Sequence, residues 1–205
     1  MVQGEAMKKR MELYGVGRLP VYWLFIAGFL AGVLLPNLMW RMEWQQKTAA
    51  SVYLLSSFAN GSVEGKEYFL YVLRRRSVPF LLAAFCGVSV FGAPLAVLGV
   101  LVAGFHVGLL LTMSILQFGL QGGLIGAGAL FPQGFLYLPC LFWLMWLVYR
   151  QSMEIWRSRG LLAQGTSRYA LRVLCCAVLC LGGILLETWC NPAVMEVLVK
   201  TLKFY

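Results

Sequence analysis

Apolar residues in this chain gather in long segments, and charged residues stand between them. The longest stretch without Asp, Glu, Lys or Arg runs for 72 residues, from Val78 to Tyr149. A helix needs about 20 apolar residues to cross a bilayer core of about 30 Å, so this stretch has room for about three crossings. Together with the segments before and after it, the pattern predicts about five transmembrane helices, at residues 19–39, 78–92, 94–118, 124–148 and 170–189.

Glycine and proline mark the predicted breaks between these helices. The sequence at residues 92–94 (GAP) predicts the first turn, and the Asn-Pro pair at 191–192 is predicted to end the last span before a short amphipathic tail. A glycine cluster at residues 119–128 leads to Pro132 and Pro139. The fourth span is therefore predicted to be broken near its middle.

Residues 41–76 mix aromatic and charged side chains, with acidic and basic residues at 64–67 and three arginines at 74–76. Such a segment is typical of amphipathic helices that lie along the membrane interface, so we predict that it does not span. The predicted five spans place nine of the 17 Lys and Arg residues on one side and eight on the other. The positive-inside rule therefore barely selects the predicted orientation, in which the amino terminus is cytoplasmic.

Composition places the chain among membrane proteins. Its residues are 60% hydrophobic and its mean hydropathy is +0.77, whereas a soluble domain is about 45–50% apolar. The net charge of +9 sits at the edges of apolar segments, so membrane lipid and not nucleic acid is the expected counter-charge. The predicted fold class is an all-α integral membrane protein with a single membrane domain over residues 1–205, a multi-pass protein of the cell membrane.

The residues needed for catalysis are scarce, and we predict no enzyme, no cofactor and no metal site. Asp is absent, and all eight acidic residues are Glu. The six cysteines show neither a CxxC nor a Cys/His zinc spacing and are interpreted as small apolar helix residues. An intramembrane hydrolase would need a nucleophile beside a base, and the serines nearest His106 in sequence, Ser89 and Ser114, lie in no GxSxG motif.

Two ionisable residues, His106 and Glu187, lie inside predicted spans, where such groups are costly and are candidates for function. His106 is interpreted either as a neutral imidazole bonded to a neighbouring helix or as part of a proton relay or ligand contact. Glu187 either reaches the headgroup region or faces inward and bonds to backbone or to a histidine of another span.

Small residues four positions apart form helix faces that admit another helix closely. These pairs are Gly28 and Gly32, Gly104 and Gly108, and Gly122 and Gly126. The pairs in spans three and four are predicted to pack helices or to bind a partner helix. The same glycine and proline pattern would also fit the broken-helix substrate site of a transporter, although internal repeats are not evident.

Four segments resemble the stage II sporulation protein M family in order and spacing: GVSVFGAP at 87–94, VAGFHVG at 102–108, FPQGFLYLP at 131–139 and ETWCNP at 187–192. Members typically show a G-x-S-x-x-G-x-P turn, then K-G-x-x-x-G-F, L-P-Q-N-x-x-x-x-P and a final E-G-x-x-x-P. The resemblance covers about residues 19–200. It departs at Ala103, where Lys is common, and at Gly134, where Asn is common. Wider relatives carry H-G-x-x-E at positions where this chain has Gln133, Gly134 and Tyr137.

The resemblance implies a non-enzymatic membrane scaffold that recruits and localises peptidoglycan-degrading partners during forespore engulfment in an endospore-forming Firmicute. The implied partners are stage II sporulation proteins D and P. The alternative is a permease-like subunit of a membrane transporter. The candidates for helix packing or partner binding are Gly104, Gly108, Gly122, Gly126, Pro132, Gln133, Pro139, His106, Glu187 and Pro192.

Overall fold

The computed structural model describes residues 20–39, 65–131, 133–157 and 166–201, and every regular element in these ranges is an α-helix. The helices are α1 (Val21–Met39), α2 (Gly65–Cys86), α3 (Gly92–Leu130), α4 (Gly134–Arg157) and α5 (Thr166–Thr201). The all-helical fold predicted from the sequence is confirmed.

Three of the described helices are long and apolar enough to cross a membrane, in the stretches Val21–Leu38, Gly92–Leu116 and Ser167–Cys190. A membrane location fits this finding, but five spans are not confirmed. The charge-free part of α2 is residues 77–86, and that of α4 is residues 134–149. At 1.5 Å per residue these parts cover about 15 and 24 Å, which is less than the ~30 Å of a bilayer core.

Helices α1 and α3 run parallel and in close contact. Gly28 faces the backbone carbonyl of Leu101, and Gly32 faces that of Phe105. The two contacts are each 73 residues apart in sequence (101 − 28 and 105 − 32), and only parallel helices keep such an offset constant. The missing glycine side chains let the two backbones touch, as is common between membrane helices.

Helix α4 runs antiparallel to α3. Met145 lies against Gly99, while Ser152, farther along α4, bonds to the backbone of Ala93, which precedes Gly99 in α3. Buried residues of α3, α4 and α5 form the core between these helices. They include Ala96, Val100, Leu144, Val148 and Cys176.

Helix α5 is antiparallel to both α4 and α2. The α2 residues Arg76 and Ala84 contact Glu187 and Tyr169 of α5, in that order, so the contacts advance along α2 as they retreat along α5. Helices α1, α3 and α5 therefore point in one direction. Within the described ranges, the chain returns between them along α2 and along the path from residue 120 to the end of α4.

Helix α3 doubles back at Gly119, whose backbone has φ +64° and ψ −149°. Beyond it, Gly126 packs against Ser114 and Leu111. In a straight helix, residues 111 and 126 would lie about 22 Å apart along the axis, so the contact requires a helical hairpin. The predicted fourth span at 124–148 thus contains the end of α3 at Leu130 and the start of α4 at residue 134.

The first turn lies earlier than predicted. Residues 87–91 form it, and the predicted turn at 92–94 is instead the beginning of α3. The Ser89 hydroxyl donates to the carbonyl oxygen of Cys86 at 2.8 Å, which satisfies a backbone acceptor at the end of α2. Pro94 fits the first turn of a helix, where the backbone N–H that proline lacks would have no helical partner.

The apolar stretch of α5 ends at Cys190, directly before Asn191 and Pro192, where the last span was predicted to end. The helix itself continues through both residues to Thr201. Proline is tolerated within helices of membrane proteins when other groups satisfy the freed backbone. Residues 65–76 of the predicted interfacial segment belong to α2, which passes through the arginine triplet without a break. The rest of that segment, residues 41–64, lies outside the described residues.

Candidate functional site

An ion pair joins the middle of α2 to the second half of α5. Arg76 Nε lies 3.1 Å from Glu187 Oε2, and Arg76 Nη2 lies 3.0 Å from Glu187 Oε1. This is the two-pronged geometry in which a guanidinium binds a carboxylate most strongly. The Glu187 side chain is 13% exposed and that of Arg76 is 44% exposed, so the carboxylate lies inside the helix bundle and the cation at its surface.

Tyr137 of α4 completes this site. Its ring centre lies 4.8 Å from the Arg76 guanidinium carbon, within the range of a cation–π contact. Gly183 of α5 makes room for the ring, because a Cβ at that position would lie 2.7 Å from Tyr137 Cε1. Three helices, α2, α4 and α5, therefore meet at the Arg76–Glu187–Tyr137 site.

The electrostatics of the site keep the α2 cation charged. Burial lowers the pKa of the Arg76 guanidinium, but the hydrogen bonds and attraction of Glu187 outweigh this effect and raise the pKa. Burial also raises the pKa of the Tyr68 phenol, and the Glu187 carboxylate raises it further. Arg76 therefore stays cationic and Tyr68 neutral at any physiological pH.

The first turn of α4 places Tyr137 in this site. The backbone carbonyl of Gln133 accepts hydrogen bonds from the N–H groups of Leu136 and Tyr137, at 3.1 and 3.0 Å, and so starts the helix. The Gln133 side chain is buried, with 5% exposure. Pro139 lies two residues beyond Tyr137 with an exposed side chain, and Pro132 lies outside the described residues.

The sequence found Glu187 but missed its partner. An inward-facing carboxylate is one of the two predicted alternatives, and the structure supports it, with Arg76 in place of a histidine. The signal was present in the arginine triplet at 74–76, because a helix that enters an apolar bundle with a cation needs an anion there. What the sequence lacks is any local relation between two residues 111 positions apart.

His106 lies away from this site. Its Nδ1 is 2.8 Å from the carbonyl oxygen of Val102, one turn earlier in α3, and its side chain is exposed on the outer face of that helix. The imidazole therefore makes its hydrogen bond within its own helix. The predicted bond to a neighbouring helix is not formed among the described residues.

The glycine faces are used within the chain. Gly104 and Gly108 face the backbone of Phe25 and Phe29 in α1, so this surface is already covered by a helix of the same protein. Gly122 and Gly126 are buried in the returning arm of the α3 hairpin, where Gly126 contacts the first arm. Gly104, Gly108 and Gly126 therefore act in helix packing, and the Gly104/Gly108 face is closed to a partner helix. Pro192 lies in α5, and its side chain is outside the described ones.

Two further polar contacts that the sequence did not indicate tie the turn at 87–91 to the bundle. Ser152 Oγ of α4 accepts from the Ala93 N–H at 2.9 Å and donates to the Val90 carbonyl at 3.0 Å. The Tyr169 hydroxyl of α5 donates to the Ala84 carbonyl at 2.7 Å. Both side chains satisfy backbone groups at helix ends, where no helical partner exists.

The buried thiols pack as small side chains near the same helices. Cys140 Sγ lies 3.2 Å from the carbonyl oxygen of Cys176, and both residues are at most 3% exposed. Among the described residues, no three His, Cys, Asp or Glu side chains converge as metal ligands would.

One comparison with known proteins finds a match. The family model described as stage II sporulation protein M matches residues 21–192, which are 172 of the 205 residues and include the whole Arg76–Glu187–Tyr137 site. No curated protein and no solved structure matches the chain.

Proposed function

Because the chain belongs to the stage II sporulation protein M family, we propose that it is a non-enzymatic, multi-pass scaffold of the cell membrane. In this proposal it recruits and localises peptidoglycan-degrading partners, stage II sporulation proteins D and P, during forespore engulfment. The family match over residues 21–192 is the observation that carries the proposal.

The use of the polar side chains supports a scaffold role. Arg76, Glu187, Ser152 and Tyr169 each bond to another helix or to its end, so they hold helices in place. A partner-binding protein gains from such rigidity, because a surface that is already ordered loses less entropy when a partner binds.

The first half of α2 supplies a surface for a partner. Leu70 and Tyr71 are 62% and 57% exposed, and Arg74 and Arg75 are exposed beside them. Arg75 Nη1 donates to the Tyr71 hydroxyl at 2.7 Å, so the pair forms one ordered polar and aromatic patch. Aromatic and arginine side chains are the types most enriched at protein interfaces. Behind this patch, Arg76 anchors α2 to α5.

Affinity capture of the tagged full chain from sporulating cells, followed by mass spectrometry, tests this function. We expect peptidoglycan hydrolases of the sporulation type among the captured proteins. The double variant Leu70→Ser with Tyr71→Ser should reduce their recovery several-fold. Trp156→Ser is the matched control, because Trp156 is 60% exposed at the opposite end of the bundle and its loss should leave recovery unchanged.

Two results would count against the proposal. Recovery of a nucleotide-binding subunit with no hydrolase would favour the permease-like alternative, for which the helix break between residues 130 and 134 would be the relevant feature. Equal recovery with the double variant and with wild type would remove the α2 patch as the docking surface.

A further inference from the structure

A cavity of about 140 Å³ lies between α4 and α5, at the end of the bundle where α4 finishes and α5 begins. Its volume is several times the ~30 Å³ that one water molecule takes up in the liquid, so it can hold a small polar group. It is lined by Leu147, Arg150, Gln151, Glu154, Arg168, Tyr169 and Arg172. The cavity is separate from the Arg76 site, because residues 137 and 151 of α4 are about 21 Å apart along the helix.

The lining of this cavity is strongly basic. Three arginines and one glutamate give it a formal charge of +2. Arg150 Nε lies 3.6 Å from Glu154 Oε1, but both side chains are about half exposed and such a contact is weak. In the part of the chain that the structure describes, Arg168 and Arg172 form no ion pair. Two guanidinium groups are thus available to an anion at the cavity.

The wall of the cavity also carries a buried hydrogen-bond donor. The Gln151 side chain is 93% buried, and its Nε2 makes no hydrogen bond within the described structure. Buried donors without an acceptor are rare in native proteins, because such a group gives up its bonds to water. A group that brings acceptor oxygens into the cavity would satisfy the arginines directly. Gln151 Nε2 has almost no accessible surface, so it would join the bound group after its amide rotates toward the cavity.

We propose that this cavity binds a phosphate group, carried either by an anionic phospholipid or by free phosphate. Arginine suits phosphate, because its planar fork of N–H groups matches two phosphate oxygens. The charged lining on α4 begins at Arg150, directly after the charge-free stretch of the sequence ends at Tyr149, which is the depth at which lipid headgroups meet helix ends. Basic pockets between helices at that depth bind anionic headgroups.

Thermal unfolding of the purified full chain in neutral detergent tests the proposal. The Tm is measured while phosphatidylglycerol, phosphatidylcholine or sodium phosphate is added at constant ionic strength. We expect phosphatidylglycerol to raise the Tm in a saturable way and phosphatidylcholine to leave it unchanged. A similar rise with sodium phosphate would identify free phosphate as a sufficient ligand. A rise with phosphatidylglycerol alone would identify the headgroup.

Two variants and a matched control locate the site. Arg168→Gln combined with Arg172→Gln should weaken the apparent affinity by about tenfold or more. Arg157→Gln changes the charge at the same end of the bundle without touching the cavity, so it should leave the affinity nearly unchanged. Gln151→Leu removes the unpaired donor at similar volume, so the Tm without ligand should not fall while the response to the ligand becomes smaller.

The proposal is overturned if neither phosphatidylglycerol nor phosphate raises the Tm of the wild-type chain. It is also overturned if Arg157→Gln weakens the response as much as the double variant, since the effect would then be a general one of surface charge. A lower Tm of Gln151→Leu without ligand would show that Gln151 is a structural residue and would contradict its role as a donor. These outcomes do not depend on the capture of hydrolases, so this site and the scaffold role fail independently.

Discussion

Single side chains decide how the charged segment of α2 is held in an apolar bundle. Arg76 gains both an anion and an aromatic ring, whereas Arg74 and Arg75 remain exposed on the same helix. Residues two or fewer positions apart on a helix point in different directions, so only one arginine of a triplet can reach a given neighbour. The arginine triplet therefore divides into one structural cation and two surface cations.

Removing the Glu187 carboxylate should destabilise the protein, because it leaves the Arg76 cation without its anion. We expect Glu187→Gln to lower the free energy of unfolding by about 1–2 kcal/mol, less than a fully buried pair would lose, because Arg76 is partly exposed to solvent. Glu154→Gln breaks the exposed contact with Arg150 and should cost less than about 0.5 kcal/mol. Unfolding of both variants in detergent checks this. Equal losses would show that the Arg76–Glu187 pair adds nothing beyond a surface contact.

At the residue scale, the sequence indicates which ionisable residues lie in apolar segments but not which groups they bind. Ionisable groups in apolar segments stand out in a sequence, which is why Glu187 and His106 were recognised as candidates. The two residues differ in their hydrogen-bond partners. His106 lies within hydrogen-bonding distance of the Val102 carbonyl, one turn away, whereas Glu187 binds Arg76, which is distant in sequence. A sequence shows the first kind of contact through spacing, and the second kind only through the fold.

Between elements, glycine sets the distances and directions of the helices. The pairs on α1 and α3 were recognisable as close-packing faces from their spacing of four. The spacing does not show that these two faces pack against each other or that the helices are parallel, because each face would fit several partner helices equally well. The sequence predicts one span that ends at residue 118 and another that begins at residue 124, and the hairpin at Gly119 lies between them.

A methyl group at the α1–α3 contact should separate these helices. We expect Gly104→Ala to lower the free energy of unfolding by about 1–3 kcal/mol, because the added Cβ would meet the backbone of Phe25, which cannot rotate away as a side chain can. Gly134→Ala is the control, since the nearest atom to its added Cβ lies 4.0 Å away. Chemical unfolding of both variants gives the comparison. A stable Gly104→Ala protein would refute the close backbone contact.

Substitution of the glycine in the turn of the α3 hairpin should also be destabilising, but for a different reason. At Gly119 a Cβ would have no neighbour within 4 Å, but its φ of +64° with ψ of −149° lies in a region that residues with a side chain rarely adopt. We expect Gly119→Ala to cost about 1–3 kcal/mol of unfolding free energy. Gly123→Ala, on the returning arm with ordinary contacts of 3.4 Å, should cost little. If the two variants unfold alike, the bend does not depend on the glycine backbone.

Across the described parts of the molecule, three apolar helices point the same way and two less apolar paths lead back. The first return path, α2, carries the arginine triplet, and the second is interrupted between Leu130 and Gly134. The apolar helices were recognisable because hydropathy alone identifies a helix that can stand in lipid without help. The boundaries predicted for the return paths differ from the observed helix boundaries. The stability of these paths depends on contacts with α5 and α3, which hydropathy does not record.

This arrangement predicts which helix ends share a side of the membrane. In the proposed multi-pass arrangement, single-cysteine variants at Pro20 and Trp156 should react with a membrane-impermeant thiol reagent from one side, and Cys190 should react from the other. Pro20 precedes α1, Trp156 lies near the end of α4, and Cys190 lies in the far part of α5. Labelling of intact and opened vesicles measures this. Reaction of Pro20→Cys and Cys190 from the same side would contradict the parallel course of α1 and α5.

The separation of Arg76 and Glu187 in sequence means that the two residues are synthesised at different times. The two residues are 111 positions apart, and a ribosome adds about 5–20 residues per second. Glu187 is therefore made roughly 6–22 s after Arg76. By the end of that interval α1 and both arms of α3 have been synthesised, while α2 still lacks the carboxylate that anchors it. The final position of α2 is consequently set late, by the arrival of α5, although α2 is synthesised long before α5.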